Sequence, residues 1–215
     1  MFVDNVVFSP LLWIGITQSV FVFMTILSSI WGWDSTWQTK FEYIRSFVWM
    51  IPYSLLIYHQ GRVYEYTRSG QTIVKTFGCI SVSSVLFSFI ARLFGAQNVS
   101  ITNIEHKSWS NEFTGVMVGC AMVALGLLVF HIHLCPADER VHYCVCLLGF
   151  VAVGVIPVFI WNVTVHIHHY IIGLFLACFS RFPRSHIGYA TQCFLTGMFI
   201  QGMQAYGPDR VYMQT

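Results

Sequence analysis

Charge is what this chain has least of: Lys, Arg, Asp and Glu together make up 9% of its 215 residues, against about a quarter in an ordinary soluble domain. A water-soluble fold of this length would lack the polar surface it needs. The eleven basic and nine acidic residues leave a net charge of +2 and stand singly between apolar blocks. There is accordingly no polybasic tract for nucleic acid or an acidic lipid surface, and nucleic acid is not an expected partner. Catalytic signatures are missing as well: no G-x-S-x-G elbow, H-E-x-x-H helix, phosphate-binding loop or dinucleotide fingerprint occurs. Acids near the apolar blocks are too few for paired-carboxylate chemistry, so no catalytic residue is expected. The cysteines, Cys79, Cys120, Cys135, Cys144, Cys146, Cys178 and Cys193, lack the spacing of a zinc ribbon or a disulfide framework. They lie mostly in apolar segments, where a free thiol acts as a small apolar filler. No long-period repeat or low-complexity tract appears.

What is present is greasy: 56% of the residues are hydrophobic and 17% aromatic. Crossing the hydrocarbon core as a helix takes about 20 mostly apolar residues, and seven segments qualify, at 8–31, 43–59, 73–95, 113–134, 143–162, 166–182 and 187–206. These predict an all-α polytopic transmembrane helix bundle of six to seven spans, one domain over 1–215. The second and sixth are the weakest. The second carries Arg45 at its start and Pro52 inside, which fits a tilted, kinked or re-entrant segment. The first follows Asp4 rather than a basic stretch and exceeds the apolar core of a signal peptide, so it reads as a helix that stays. Thr39 and Glu42 fit a capping box, and Pro136 with Asp138 and Glu139 suits a helix first turn. Trp31, Trp33, Trp37, Trp49, Trp109 and Trp161 fall near predicted span ends, as interfacial rings do.

Asn98-Val-Ser and Asn162-Val-Thr match the N-glycosylation acceptor pattern. With seven spans both fall on one side, opposite Arg62, Arg68, Lys75, Arg181 and Arg184. This gives an inside N-terminus and an outside C-terminus, with Asn98 the acceptor farther from the membrane. Gly115 and Gly119 form a G-x-x-x-G, and Ser81, Ser84 and Ser88 line one face of the third span. Small residues at such spacing let helices pack closely.

The most unusual run is the one holding His166, His168 and His169 at the start of the sixth span. On a helix His166 and His169 share a face and His168 points elsewhere, so the motif supplies two metal ligands and needs others. His131 and His133, near Cys135 and His142, are the candidate ligands elsewhere. If the fifth segment crosses, however, they lie about 30 Å away on the opposite face. Zinc suits such a donor set and haem needs axial histidines from facing helices; interfacial hydrogen bonding explains the same residues without a cofactor. Gln18, Arg92, Gln192, Thr196, Gln201 and Gln204 are further polar residues within spans. Gln192, Thr196 and Gln201, with Gly197 and Gly202, make the last span the expected partner of the histidine helix. Together they form a candidate ligand site of His166, His168, His169, Gln192, Thr196 and Gln201.

The closing stretch also resembles the last membrane region of the fungal LCCL-domain transmembrane proteins. There too a histidine-bearing helix ends near an Arg-Phe-Pro-like turn, followed by a Gln- and Gly-containing span and a terminal Gly, Asp and Gln-Thr pattern. The matching positions are His166, His168, His169, Tyr170, Arg181, Phe182, Pro183, Ser185, Gln192, Gly197, Gly202, Gly207, Asp209, Gln214 and Thr215, about the last quarter of the chain. The resemblance implies a multispan eukaryotic membrane region whose last two spans act as a unit. No loop is long enough for a cysteine-rich LCCL module, so that module's ligand binding does not carry over.

The expected function is a non-enzymatic, multi-pass integral membrane protein of the secretory pathway or plasma membrane. Its last two spans would recognise a ligand, a lipid headgroup or a proton. Three other readings compete: a transporter or channel, a haem- or metal-binding redox protein, and an accessory subunit of a larger membrane assembly or a homo-oligomer in the bilayer.

Overall fold

The structure is a computed structural model and describes residues 6–7, 9–32, 40–65, 67–68, 70–93, 111–161, 163–165, 169–180, 186–208 and 212–214. All seven apolar segments fold as helices. These are α1 (Pro10–Ile30), α2 (Lys40–Gln60), α3 (Gly70–Leu93), α4 (Asn111–Leu134), α5 (Ala137–Trp161), α6 (His169–Phe179) and α7 (His186–Tyr206). By length and composition, among the described residues, two of them, over Pro10–Ile30 and Ile73–Ile90, are long and apolar enough to cross a membrane. Two short antiparallel pairings complete the fold: β1 (Val6–Val7) with β2 (Thr67–Arg68), and β3 (Val163–Val165) with β4 (Tyr212–Gln214).

Local chemistry explains the ends of these rods. Ser9 caps α1 by accepting from the Leu12 amide at 3.1 Å, and Pro10, which has no N–H to leave unsatisfied, opens the first turn. At the other end Trp31 N donates to Leu27 O and Gly32 turns away at φ 63°, the left-handed exit that glycine allows. Acidic Asp138 and Glu139 sit in the first turn of α5, where they meet the positive end of the helix dipole. Glu42 does the same on α2, while its expected capping partner Thr39 lies outside the described residues. Pro52 stands inside α2 without ending it.

The chain packs as two compact units. The first, residues 1–90 and 169–209, holds α1, α2, α3, α6 and α7. Its contacts fix helix directions. Gln18 with Phe47 and Trp13 with Ser54 make α1 and α2 antiparallel. Arg45 with Pro208, Tyr53 with Phe199, and Gly61 with Gln192 make α2 and α7 antiparallel. Thr76 with Tyr189 and Ser84 with Gly197 make α3 and α7 parallel. Helix α6 turns back on α7, with Gly173 against Leu195 and Phe199 and Ala177 against Gln192.

In this unit polar side chains are buried beside an apolar core that includes Trp13, Val20, Met24, Ile57, Phe199 and Met203, and many large apolar side chains face outward. Thr17, Ser28, Ser46, Ser54, Thr76, Ser81, Ser84, Ser88, Gln192, Thr196, Gln201 and Gln204 are buried, while Leu11, Val22, Ile26, Ile30, Phe41, Ile44, Val48, Val74, Val82 and Phe89 are exposed. Helix α7 lies at the centre, buried over most of its circumference. Two glycines permit this. A Cβ on Gly173 would come within 2.9 Å of Phe199 N, and one on Gly197 within 2.8 Å of Ser84 N and the Ser83 Cβ. These are helix crossings of the small-residue kind, and the serine face of α3 serves one of them.

The second unit, residues 91–168 and 210–215, holds α4, α5, β3 and β4. Cys135 and Pro136 join α4 to α5: Cys135 N donates to His131 O, Glu139 N to Pro136 O, and Arg140 Nη2 to Cys135 O. The fifth segment is one continuous helix of 25 residues, about 37 Å long at 1.5 Å per residue. Within this unit Gly115 and Gly119 meet no neighbour where a Cβ would stand, so the G-x-x-x-G does not mediate packing there.

Candidate interhelical polar site

The best-built polar arrangement lies where α1, α2 and α7 meet. Trp13, 1% exposed, donates its indole N–H to Ser54 O at 3.0 Å. Thr17 Oγ1 lies 2.8 Å from Ser54 Oγ and 3.0–3.1 Å from the Ile14 and Trp13 carbonyls. A hydroxyl has one proton; if Thr17 gives it to its own helix, it must accept from Ser54. One turn away, Gln18 Nε2 donates to Phe47 O at 2.8 Å. These anchors on α2, Phe47 and Ser54, straddle Pro52. Proline has no N–H for the carbonyl four residues back and its ring crowds that turn, so α1 clamps α2 on both sides of its weakest point.

From the other side, Gln192 Nε2 donates to Gly61 O at 3.0 Å and to Ala177 O at 3.4 Å, tying α7 to the end of α2 and to α6. Gly61 is required by space rather than by backbone angle. A Cβ there would strike the Gln192 amide and come within 2.6 Å of Ile57 O and 2.9 Å of Ala177 O, whereas the left-handed φ of 54° falls on the next residue, Arg62. Thr196 lies one turn beyond Gln192 and three residues before Phe199, which stacks edge-on against Tyr53 at 5.7 Å. It therefore shares the α2-facing side of α7, and the α2–α7 register sets it level with Ile57, within a turn of Ser54. Its side chain is 0% exposed and its hydroxyl makes no hydrogen bond. Gln204 Nε2, Gln18 Oε1 and Ser81 Oγ are likewise buried without a hydrogen bond.

The histidine run contributes less than its sequence promises. His166 and His168 lie outside the described residues, as do Asn98 and Asn162; His169 opens α6. The α6–α7 register sets His169 level with about Gln201, while Gln192 meets Ala177, eight residues further along α6. That is about 12 Å along the axis of α6 from the level of Gln192 to the backbone of His169. Gln201 is buried. In the other unit, His131 is buried and its Nδ1 lies 2.6 Å from Leu127 O, whereas His133 is exposed. His131 and His133 stand near the start of the continuous α5, a rod about 37 Å long. His142 Nε2 lies 3.5 Å from Cys146 Sγ one turn along α5. Among the described residues no group of three His, Cys, Asp or Glu side chains is placed to hold a metal ion.

Three features escape a reading of the sequence: the Trp13–Thr17–Ser54 cluster, the Gly61 contact, and a pairing of Cys79 with Cys193 on α3 and α7. Trp13 falls in the first turn and a half of α1, where the sequence does not separate it from the tryptophans near other span ends. Trp49, by contrast, sits mid-way along α2, exposed and stacked on Tyr53 at 5.9 Å, rather than at a helix end. A groove of about 580 Å³ between α1 and α3, lined by Phe23, Trp31, Ser81, Val82, Val85, Leu86 and Phe89, is apolar at its surface. Compared with protein-family models, curated proteins and solved structures, the chain finds no match.

Proposed function

We propose that this chain is a multi-pass integral membrane protein whose last helix, α7, forms a buried polar spine that recognises a small hydrogen-bonding ligand, a lipid headgroup or a proton. The observation that carries the reading is the apolar surface of the first unit. Large apolar side chains face outward along its helices while hydroxyl and amide side chains are buried among the apolar core, an arrangement that costs free energy in water and suits a hydrocarbon surround. The alternation of helix directions supports it, since α1, α3 and α7 run one way and α2 and α6 the other, as a chain threading back and forth requires. The secretory pathway or plasma membrane is the proposed location. Kinship with the membrane region of the LCCL-domain proteins and assembly with further membrane subunits belong to the same proposal.

Recognition centres on Thr196, whose buried hydroxyl is unspent among the described residues and which the α2–α7 register sets within a turn of Ser54. Transport needs a continuous hydrated path, against which the close helix contacts at Gly61, Gly173 and Gly197 count. The test replaces the Thr196 hydroxyl by a methyl in Thr196→Val and reads the thermal unfolding midpoint in mild detergent. An unused hydroxyl is a cost of burial, so its removal then raises the midpoint. A hydroxyl that holds a guest is a gain, so its removal lowers it by the equivalent of about 1–3 kcal/mol. A raised midpoint overturns the site. Release of the protein from membranes by alkaline carbonate overturns the membrane reading separately.

A further inference from the structure

Cys79 on α3 and Cys193 on α7 are both free thiols, the first exposed and the second buried. Two printed bonds set the register between their helices: Tyr189 donates its hydroxyl to Thr76 at 3.4 Å, and Ser84 Oγ donates to Gly197 O at 3.0 Å. Both pairs are 113 residues apart in sequence, so the helices run parallel and in step, with Ile80 level with Cys193. Cys79 is its immediate neighbour. Cys193, Cys79 and Tyr189 stand close enough to one another to interact electrostatically, as this register requires. One turn further on, the helices approach so closely that a Cβ on Gly197 would lie 2.8 Å from the Ser83 Cβ. Interhelical disulfides need such a crossing, because their Cα atoms stand roughly 4.4–6.8 Å apart.

We infer that Cys79 and Cys193 form an oxidation-sensitive thiol pair that closes to a disulfide and latches α3 to α7. The exposed Cys79 meets the oxidant and the buried Cys193 resolves it. With an organic hydroperoxide as oxidant, Cys79 sulfur attacks the terminal peroxide oxygen, the O–O bond breaks, and the products are a Cys79 sulfenic acid and an alcohol. Cys193 sulfur then attacks the Cys79 sulfur, the S–O bond breaks, and the hydroxyl leaves as water with the Cys193 proton. Two thiols are oxidised and one peroxide is reduced. The disulfide fixes the seam beside Tyr189 and Thr76 and removes the freedom of α7 to slide along α3. That the oxidant arrives through lipid rests on the multi-pass reading, because Cys79 lies ten residues into α3; the pairing of the thiols does not.

The experiment treats the full-length protein in native membranes with cumene hydroperoxide, blocks remaining thiols with N-ethylmaleimide, and maps the peptides by mass. The expected result is a reducible cross-link joining the Cys79 and Cys193 peptides, with neither residue alkylated, and its disappearance in Cys79→Ser and in Cys193→Ser. Alkylation of both residues both after cumene hydroperoxide in membranes and after hydrogen peroxide in detergent, or a bridge from Cys79 to any other cysteine under either treatment, overturns the pair in the wild-type protein itself, whatever the variants do. A bridge formed by hydrogen peroxide in detergent but not by cumene hydroperoxide in membranes supports the pair and counts against the lipid route.

Discussion

At the scale of single residues, the contact between Gly61 and Gln192 sets the tightest constraint. Helix α2 ends where its next residue must admit both the Gln192 amide and the Ala177 carbonyl, and only a residue without a Cβ does so. Gly61→Ala is expected to lower the unfolding free energy by about 1–3 kcal/mol, the usual range for an added carbon in a filled interior. Gln192→Ala costs a similar amount, through carbonyls left without donors. The double variant tests the account: removing the amide removes part of the clash, so the two losses sum to less than additive. Additive losses, measured by unfolding in detergent, would show that Gly61 is small for another reason. Of these residues Gln192, Thr196 and Gln201 were legible in the sequence as polar interruptions of an apolar span, which lipid tolerates only at buried positions. Gly61 was not, because a glycine after a helix looks like a loop glycine, and neither was the thiol pair, whose members are separated by most of the chain.

Elements show a second constraint, the support that α1 gives to α2. A helix with an internal proline lacks one backbone bond and bends, yet α2 runs unbroken through Pro52 with Gln18 and Trp13 bonded on either side. Gln18→Leu is expected to lower the thermal midpoint, and to lower it less in a Pro52→Ala background, where the helix mends its own ladder. An equal loss in both backgrounds would dissociate Gln18 from the proline. The crossing of α3 and α7 gives a companion prediction: Gly197→Val forces the helices apart and abolishes the Cys79–Cys193 cross-link while leaving both thiols open to alkylation. A cross-link that survives at its wild-type yield would detach the disulfide from the crossing. Element positions themselves were readable from hydropathy, with all seven segments helical to within a few residues at most ends. The largest shift is at α5, which begins six residues before the expected 143, because Asp138, Glu139 and Arg140 lower the hydropathy of its first turn without breaking the helix. Helix α6 holds 11 described residues and reaches about 16 Å, short of the roughly 30 Å hydrocarbon core.

For the molecule as a whole, composition offers the scarcity of charge, and among the described residues two helices are long and apolar enough to cross a membrane. What composition could not supply is direction, which comes from pairwise contacts. Three odd-numbered helices, α1, α3 and α7, run together, and two even-numbered ones, α2 and α6, run against them. Five helices assigned directions at random would seldom alternate in this way, whereas a chain that crosses a bilayer at each helix must. The prediction is that chain segments after odd-numbered helices lie on one side and those after even-numbered helices on the other. With the N-terminus inside, residues 33–39 and Asn98 then face the lumen, while residues 61–69 and 181–185, which carry Arg62, Arg68, Arg181 and Arg184, face the cytosol. Acceptor sites for N-glycosylation engineered into each segment read this directly: modification is expected in the first group and not in the second, and native Asn98 is expected to carry a glycan that Asn98→Gln removes. Modification in both groups, or in residues 61–69 alone, would break the alternation and with it the seven-pass arrangement, even if carbonate washing left the protein in the membrane. The short α6 raises the stakes of the 181–185 acceptor. If that segment is glycosylated while 61–69 is not, α6 dips into the bilayer and returns, and six crossings replace seven.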